Sequence, residues 1–347
     1  MEKVKTVFPT EAPPEVVRLL KRAPELEQAG VPLLVDTGLP LQEPAAEGGW
    51  SGIINLRRLN DIRYINKFLE SANRGLRPGG YLAGCAEPSG RRKERLMARY
   101  PRPLNKLFYA FDFLIKRVWP TLPDLRSLYF ALTKGRNRVL SEMETYGRLY
   151  SCGFRLLDSM ESGDKLYFLA EKTGEPAYNK EATYGPIIKL RRVGKDGKMF
   201  KVFKFRTMSP FSEYIQQFIY ERNGYEGAEN FRDDTRVTTL GKFMRKYWID
   251  ELPMLWNLLR GDLKFFGVRP VSAHYLSLFP EEFQEYRKKF KPGLIPPVYV
   301  EIPQTFEDIY EIERRYLQAY EKEPLRTDLR YLGKAFHNIV IKRVRSS

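Results

Sequence analysis

Ile249-Asp250-Glu251-Leu252-Pro253-Met254-Leu255-Trp256-Asn257-Leu258-Leu259-Arg260-Gly261 decides how the second half of this chain is read. Pro253 suits the first turn of a helix and Gly261 suits its end. Asp250 and Glu251 therefore stand just before a helix N-terminus, where the dipole favours ionised carboxylates. An ionised Asp is a candidate nucleophile on phosphorus. A neighbouring Glu is a candidate ligand for Mg²⁺, which takes carboxylate and phosphate oxygens. Standing alone, Asp-Glu-Leu-Pro reads more readily as an acidic helix cap.

Just upstream, Leu240, Phe243, Met244, Tyr247 and Trp248 fall on one helical face, with Lys242, Arg245 and Lys246 on the other. That pattern predicts a core helix with a solvated basic side. Downstream, Gly261-Asp262 leads to Gly267-Val268-Arg269-Pro270. Gly267 permits close backbone approach, Pro270 stiffens the exit, and Arg269 between them is placed for bidentate phosphate contact. Further upstream, Asp196-Gly197 signals a tight hairpin. On its second arm Phe203 and Phe205 face one way, Lys204 and Arg206 the other. Two cations on one strand face suit a diphosphate, and also suit plain solvation.

The order of these pieces is more specific than any one of them. Gly185-Pro186, the hairpin into Phe203–Met208, and Asp234-Thr235-Arg236-Val237-Thr238 lead to Gly241-Lys242-Phe243-Met244-Arg245. Asp250-Glu251-Leu252-Pro253, Asn257, Gly261-Asp262, Gly267–Pro270 and Lys291-Pro292-Gly293 follow. The series resembles the bacterial sugar transferase family, the monotopic polyprenyl-phosphate phosphoglycosyl transferases, over about 183–335. The resemblance implies transfer of a sugar 1-phosphate from a UDP-sugar to a polyprenyl phosphate, with release of UMP, at the start of exopolysaccharide or glycan assembly. It implies Asp250 as nucleophile forming a covalent phosphosugar intermediate, and Glu251 as the Mg²⁺ ligand. Arg269, with Lys204, Arg206 and Arg236, would bind substrate phosphate. The alternative is a catalytically inactive scaffold or binding protein of the same fold in a polysaccharide assembly system.

The chain departs from that pattern in three places. No apolar re-entrant helix precedes Gly185-Pro186, an insertion carrying Tyr214, Tyr220, Asn223 and Tyr225 follows Met208, and Ile295-Pro296-Pro297 stands where the family has Thr-Gly. The tail predicts an amphipathic helix at Glu311–Tyr320, and Asp328, Arg330 and Tyr331 resemble the family's C-terminal Asp-x-x-Tyr region.

The first half reads differently. Residues 1–50 look loosely organised, with a helix expected at Glu15–Gln28, a short strand at Leu33–Val35 and a linker at Pro44–Gly49. In 51–175, Ile62, Ile65, Phe68 and Leu69 recur at helical spacing. Leu76-Arg77-Pro78-Gly79-Gly80 then marks a break before a strand at Tyr81–Cys85. Ser141 and Glu144 match a capping box for a helix ending near Cys152-Gly153-Phe154, and Leu166–Ala170 is another strand. These pieces resemble the C-terminal half of a class I methyltransferase domain, without that family's glycine-rich cofactor loop, so the expectation is a non-catalytic module. Within it, 104–134 is rich in aromatics, flanked by Lys and Arg, and interrupted by Asp112 and Pro120. It reads either as a membrane-interface segment or as a buried amphipathic helix pair.

The fold class is thus α/β: a degenerate Rossmann-like N-terminal module plus a compact α+β phosphoglycosyl transferase catalytic domain at 183–347. The chain has 347 residues and a net charge of +16, which attracts anionic partners. No nucleic-acid motif accompanies that charge, so an acidic membrane surface and phosphorylated substrates are the expected partners and nucleic acid is not. Two cysteines imply no disulfide framework, and His274 and His337, without a Cys cluster, do not suggest zinc. No run of about 18 apolar residues and no signal-like N-terminus occurs. The expected location is the cytoplasmic face of the inner membrane, peripheral or monotopic.

Overall fold

The computed structural model describes residues 5–6, 12–23, 32–42, 49–178, 185–223, 225–226, 230–231, 234–301 and 303–340. The expected extension of the first helix to Gln28, most of the linker at Pro44–Gly49 and the domain start at 183–184 lie outside them. The chain forms two units, Met1–Tyr184 with Ser209–Phe218, and Gly185–Met208 with Ile219–Ser347.

The first unit is built on one six-stranded sheet. Its elements are β1 (Lys5–Thr6), α1 (Pro14–Lys21), β2 (Leu33–Val35), β3 (Trp50–Asn55), α2 (Ile65–Gly75) and β4 (Leu76–Ala86). Then come α3 (Ser89–Arg99), α4 (Leu104–Phe113), α5 (Pro123–Thr133), α6 (Glu142–Ser151), β5 (Phe154–Ser162) and β6 (Lys165–Lys172). The strand order is β1-β2-β3-β4-β6-β5. β2, β3 and β4 are parallel, while β6 lies antiparallel between β4 and β5. Parallel strands joined by a helix need both faces covered. Val16, Leu19 and Leu20 of α1 pack on Leu34, Ile54, Tyr81, Ala83, Cys85 and Leu169. The alternate residues Ile53, Leu82 and Phe168 are equally buried, as period-two alternation requires when the opposite face is also covered.

The first fifty residues, expected to be loosely organised, supply α1 and β2 to this core. Their short elements gave too little periodicity to reveal tertiary burial. The expected break at Leu76–Gly80 sits inside β4: Leu76 pairs with Trp50 and Tyr81 with Gly52, so the extra residues bulge out of a continuing strand. Ser141 caps α6 by accepting from the Glu144 N–H at 3.0 Å. The Glu144 carboxylate does not return to complete the box. It is buried and paired with Arg117 and Arg148. The insertion after Met208 folds in part with the first unit, where Phe211 lies under the Arg148 guanidinium and Phe218 packs edge-on against Tyr146.

The second unit pairs β7 (Ile187–Val193) with β8 (Met199–Phe205) as an antiparallel hairpin. Asp196 and Gly197 both take positive φ at its turn, which supplies the twist a tight hairpin needs. It continues through α7 (Thr239–Lys246), a 3₁₀ turn at Ile249–Glu251, α8 (Met254–Leu259), β9 (Lys264–Phe266), α9 (Glu281–Lys288), β10 (Gly293–Ile295), α10 (Phe306–Lys322) and α11 (Pro324–Val340). β9 and β10 pair in parallel, followed by a glycine-on-glycine contact: a Cβ on Gly293 would stand 2.1 Å from the Gly267 nitrogen. Phe266, Phe279, Phe283, Tyr316 and Leu317 form the core under this pair. Asp328 accepts from the Lys264 ammonium and from the Tyr316 hydroxyl, tying α11 to β9 and α10.

Candidate active site

The candidate site is a narrow cleft lined by Arg192, Val202, Lys204, Glu251, Arg269, Pro296 and Tyr299, among others. The hairpin register sets one wall. Arg192 lies opposite Phe200, Leu190 opposite Val202 and Ile188 opposite Lys204, so Arg192 and Lys204 share a face. Arg192 escaped the sequence reading, although counting across the Asp196-Gly197 turn would have placed it there.

Lys204 donates to Glu251 Oε1 at 2.7 Å. A fully buried side chain, Asn257, makes that contact reproducible. It accepts from the Phe203 N–H at 3.0 Å, donates to the Lys201 carbonyl at 2.8 Å and donates to Asp262 at 3.0 Å. Asn257 thus stitches β8 to α8 as a surrogate strand, fixing Lys204 opposite the turn that carries Glu251. That turn begins at Trp248, whose φ of 53° lies in the left-handed region. Such a conformation in a bulky residue costs on the order of 1–3 kcal/mol and persists only where the surroundings hold it. The Trp248 indole N–H donates to the Tyr299 hydroxyl at 3.3 Å.

Asp250 departs from the sequence expectation of a carboxylate favoured as the anion. Burial pushes its carboxyl above the ordinary Asp range and Glu251 adds to that, against the opposing pull of Lys204 and Arg245. Burial likewise lowers Arg192 and Arg245, with the like charge of Arg269 adding to each. The site therefore gathers Lys204, Arg192, Arg245 and Arg269 around two carboxylates, a surplus of cations suited to a polyanion.

Arg269 is exposed into the cleft while its carbonyl accepts from the Arg287 guanidinium. Arg287 is buried and forks onto buried Glu313. No local sequence signal marks these two, which lie 26 residues apart and hold Arg269 from behind. Two expected phosphate ligands lie elsewhere. Arg236 is buried and forks onto Asp234, with both bonds at 2.8 Å, so its charge is already matched. Arg206 turns to the Gly185 carbonyl at 3.0 Å and does not line the cleft.

Among the described residues there is no cluster of three or more metal-ligating side chains. Glu251 fits Mg²⁺ only in the mode where substrate phosphates and water complete the octahedron. Both cysteines are free and buried, with burial raising Cys85 to about 11 and Cys152 to about 12.

The helical face of Leu240, Phe243 and Tyr247, expected in the core, is more than half exposed, and beside the dyad Leu252, Leu255, Trp256 and Leu259 are exposed as well. Periodicity marks a face that avoids water and does not say what covers it.

Residues 177–342 match the bacterial sugar transferase family. The sugar transferase domain is similar to the UDP-galactose-lipid carrier transferase of Erwinia amylovora, at 36% identity over 31% of this chain and 24% of the relative. It is similar to the undecaprenyl-phosphate galactose phosphotransferase of Salmonella typhimurium, at 32% identity over 37% of this chain and 26% of the relative. The chain thus spans about a quarter of the length of these curated relatives. A solved SAM-dependent methyltransferase of Thermotoga maritima overlaps 39% of this chain and 59% of its own at 14% identity and a TM-score of 0.23.

Proposed function

We propose that the chain is a phosphoglycosyl transferase moving a sugar 1-phosphate from a UDP-sugar to a polyprenyl phosphate. The observation that carries this reading is the pairing of a half-buried Asp250, its carboxyl raised by burial, with a Lys204–Glu251 pair in a cleft walled by Arg192 and Arg269. A raised pKa makes the ionised carboxylate a stronger nucleophile. In the first step an Asp250 oxygen attacks the sugar-bearing phosphorus, the phosphoanhydride bond breaks, and UMP leaves with the bond's electron pair. In the second, an oxygen of the lipid phosphate attacks the same phosphorus and the Asp250 carboxylate departs. Arg192 and Arg269 hold the diphosphate oxygens, and Lys204 pairs with Glu251 beside them. Glu251 would hold Mg²⁺ together with substrate phosphate oxygens, and the ion would neutralise charge on the diphosphate.

The exposed apolar side chains flanking the dyad support an acceptor dissolved in a lipid surface. Among the described residues no helix is long and apolar enough to cross a membrane, so the proposed association is peripheral or monotopic, at the cytoplasmic face where nucleotide sugars are made. The product would enter exopolysaccharide or glycan assembly.

The test is UMP release from a panel of UDP-sugars, with Mg²⁺ and polyprenyl phosphate, by wild type and Asp250→Asn. Release that needs the lipid and vanishes in the variant supports the reaction and names the donor. Wild-type release unaffected by Asp250→Asn sinks the nucleophile assignment. No release with any donor sinks the enzyme reading in favour of a scaffold.

A further inference from the structure

We propose that α4, in the first unit, is a docking surface for an anionic phospholipid bilayer and lies in the plane of its headgroups. This surface is distinct from the cleft around Asp250 and is argued without reference to the reaction.

The helix leaves an apolar stripe uncovered. At 100° per residue, Leu104, Leu107, Phe108 and Phe111 fall within a stripe of about 100°. All four are exposed, Leu107 at 57% and Phe111 at 59%, and Leu114 extends the stripe. The side that packs lies about a quarter-turn round from the stripe, where Asn105 and Asp112 stand beside the half-buried Tyr109 and Phe113. Asn105 is buried and donates to the Met97 carbonyl at 3.2 Å. Asp112 is gripped by the Arg92 fork at 2.6 and 2.7 Å. Contiguous exposed side chains of this size call for an apolar cover.

Charge says which cover. Arg99 and Arg102, just before the helix, and Lys106 on it are exposed, and Asp112 is paired internally with Arg92. In the other half of the insertion, Arg126 of α5 and Lys134 just after it line an open cavity of about 640 Å³ with Arg63, Tyr64 and Phe130, without an acidic residue. A second copy of the chain would set these cations against like charge. A bilayer containing anionic lipid offers both an apolar layer and negative headgroups. α4 spans only about 15 Å, half of a hydrocarbon core, so it lies in the interface. Tyr100, stacked on Phe108 at 4.2 Å, and Trp119 are side chains of the kind that settle at headgroup depth.

The experiment uses the full chain carrying Phe111→Cys labelled with an environment-sensitive nitrobenzoxadiazole dye. The native cysteines are buried and do not compete. On vesicles of phosphatidylcholine with phosphatidylglycerol, the label should shift to the blue and be quenched by brominated acyl chains. On pure phosphatidylcholine the response should be far weaker. A label that stays in water while the protein binds overturns the proposal, and so does a failure to bind anionic vesicles. The double variant L107E/F111E should lose about tenfold or more in vesicle partition, the loss expected from two buried apolar side chains. A vesicle-free dimer that this variant dissolves, with vesicle binding unchanged, would assign the face to a second copy instead. UMP release in detergent micelles separates the two readings. Its retention in the double variant leaves docking as the only function lost, while dye insertion without UMP release from any donor upholds docking and sinks the reaction.

Discussion

Glu144 and Asp250 are both carboxylates drawn out of water, and their surroundings push them in opposite directions. Around Glu144 burial favours the neutral form, yet Arg117 and Arg148 both bond it and hold its carboxyl at about 2. Around Asp250 burial wins over Lys204 and Arg245, with Glu251 crowding in, and the carboxyl rises. The difference is one of partners. A carboxylate bonded by two guanidinium groups has its lone pairs committed and serves structure. A carboxylate short of partners keeps its basicity for an incoming group.

Several variants would sharpen or break that contrast. The largest effect belongs to Asp250→Asn, which should lower UMP release by about 10³ or more while leaving circular dichroism unchanged. A residual rate above about a tenth of wild type would remove Asp250 from the nucleophile's role. Glu144→Ala should act on stability instead. It takes the shared carboxylate from buried Arg148 and part-exposed Arg117 at a cost of about 3–5 kcal/mol, seen as a drop in Tm of about 10 °C.

Asn257→Ala comes next, at about 1–3 kcal/mol, because the Phe203 N–H and the Lys201 carbonyl lose their partner. Lys204 loses its fixed register, so kcat should fall more than KM rises. Wild-type stability with unchanged kcat would show that β8 holds its place without the stitch.

The smallest effects are shifts with pH. Asp250 must be ionised to attack, and its carboxyl lies above the ordinary range, so the acid limb of the rate profile should fall at a higher pH than an ordinary Asp allows. Lys204→Met removes a cation that lowers it, so the limb should move higher still. A limb that moves down would reverse the assigned electrostatics. Glu144 has the opposite sign. Its folded value is depressed from 4.5 to about 2, so its stabilisation is complete above 4.5 and is lost as pH falls towards 2. Acid unfolding of Glu144→Gln should lack that component.

The hairpin at Asp196-Gly197, the turn and helix after Asp250-Glu251, and the strands at Tyr81–Cys85 and Leu166–Ala170 were legible because each depends on neighbours a few residues away. Arg192 was within reach, since hairpin register follows from the turn. Asn257 carries no local sign of its role, because its partners lie 54 and 56 residues away. Arg236 was misread for a related reason. A cation in a phosphate-binding motif looks alike whether it faces a cleft or is matched by Asp234.

By itself the sequence determined the resemblance of the second unit to the bacterial sugar transferases, the position of the Asp250-Glu251 pair and the Rossmann-like reading of the first. Propensity, turn chemistry and motif order act over short spans of chain. Tertiary structure alone decided which cations reach the cleft, which carboxylate rises and which falls, and which apolar faces stay uncovered. Those outcomes depend on burial and on partners brought together from distant positions, and an amphipathic pattern reads the same whether protein or lipid completes it.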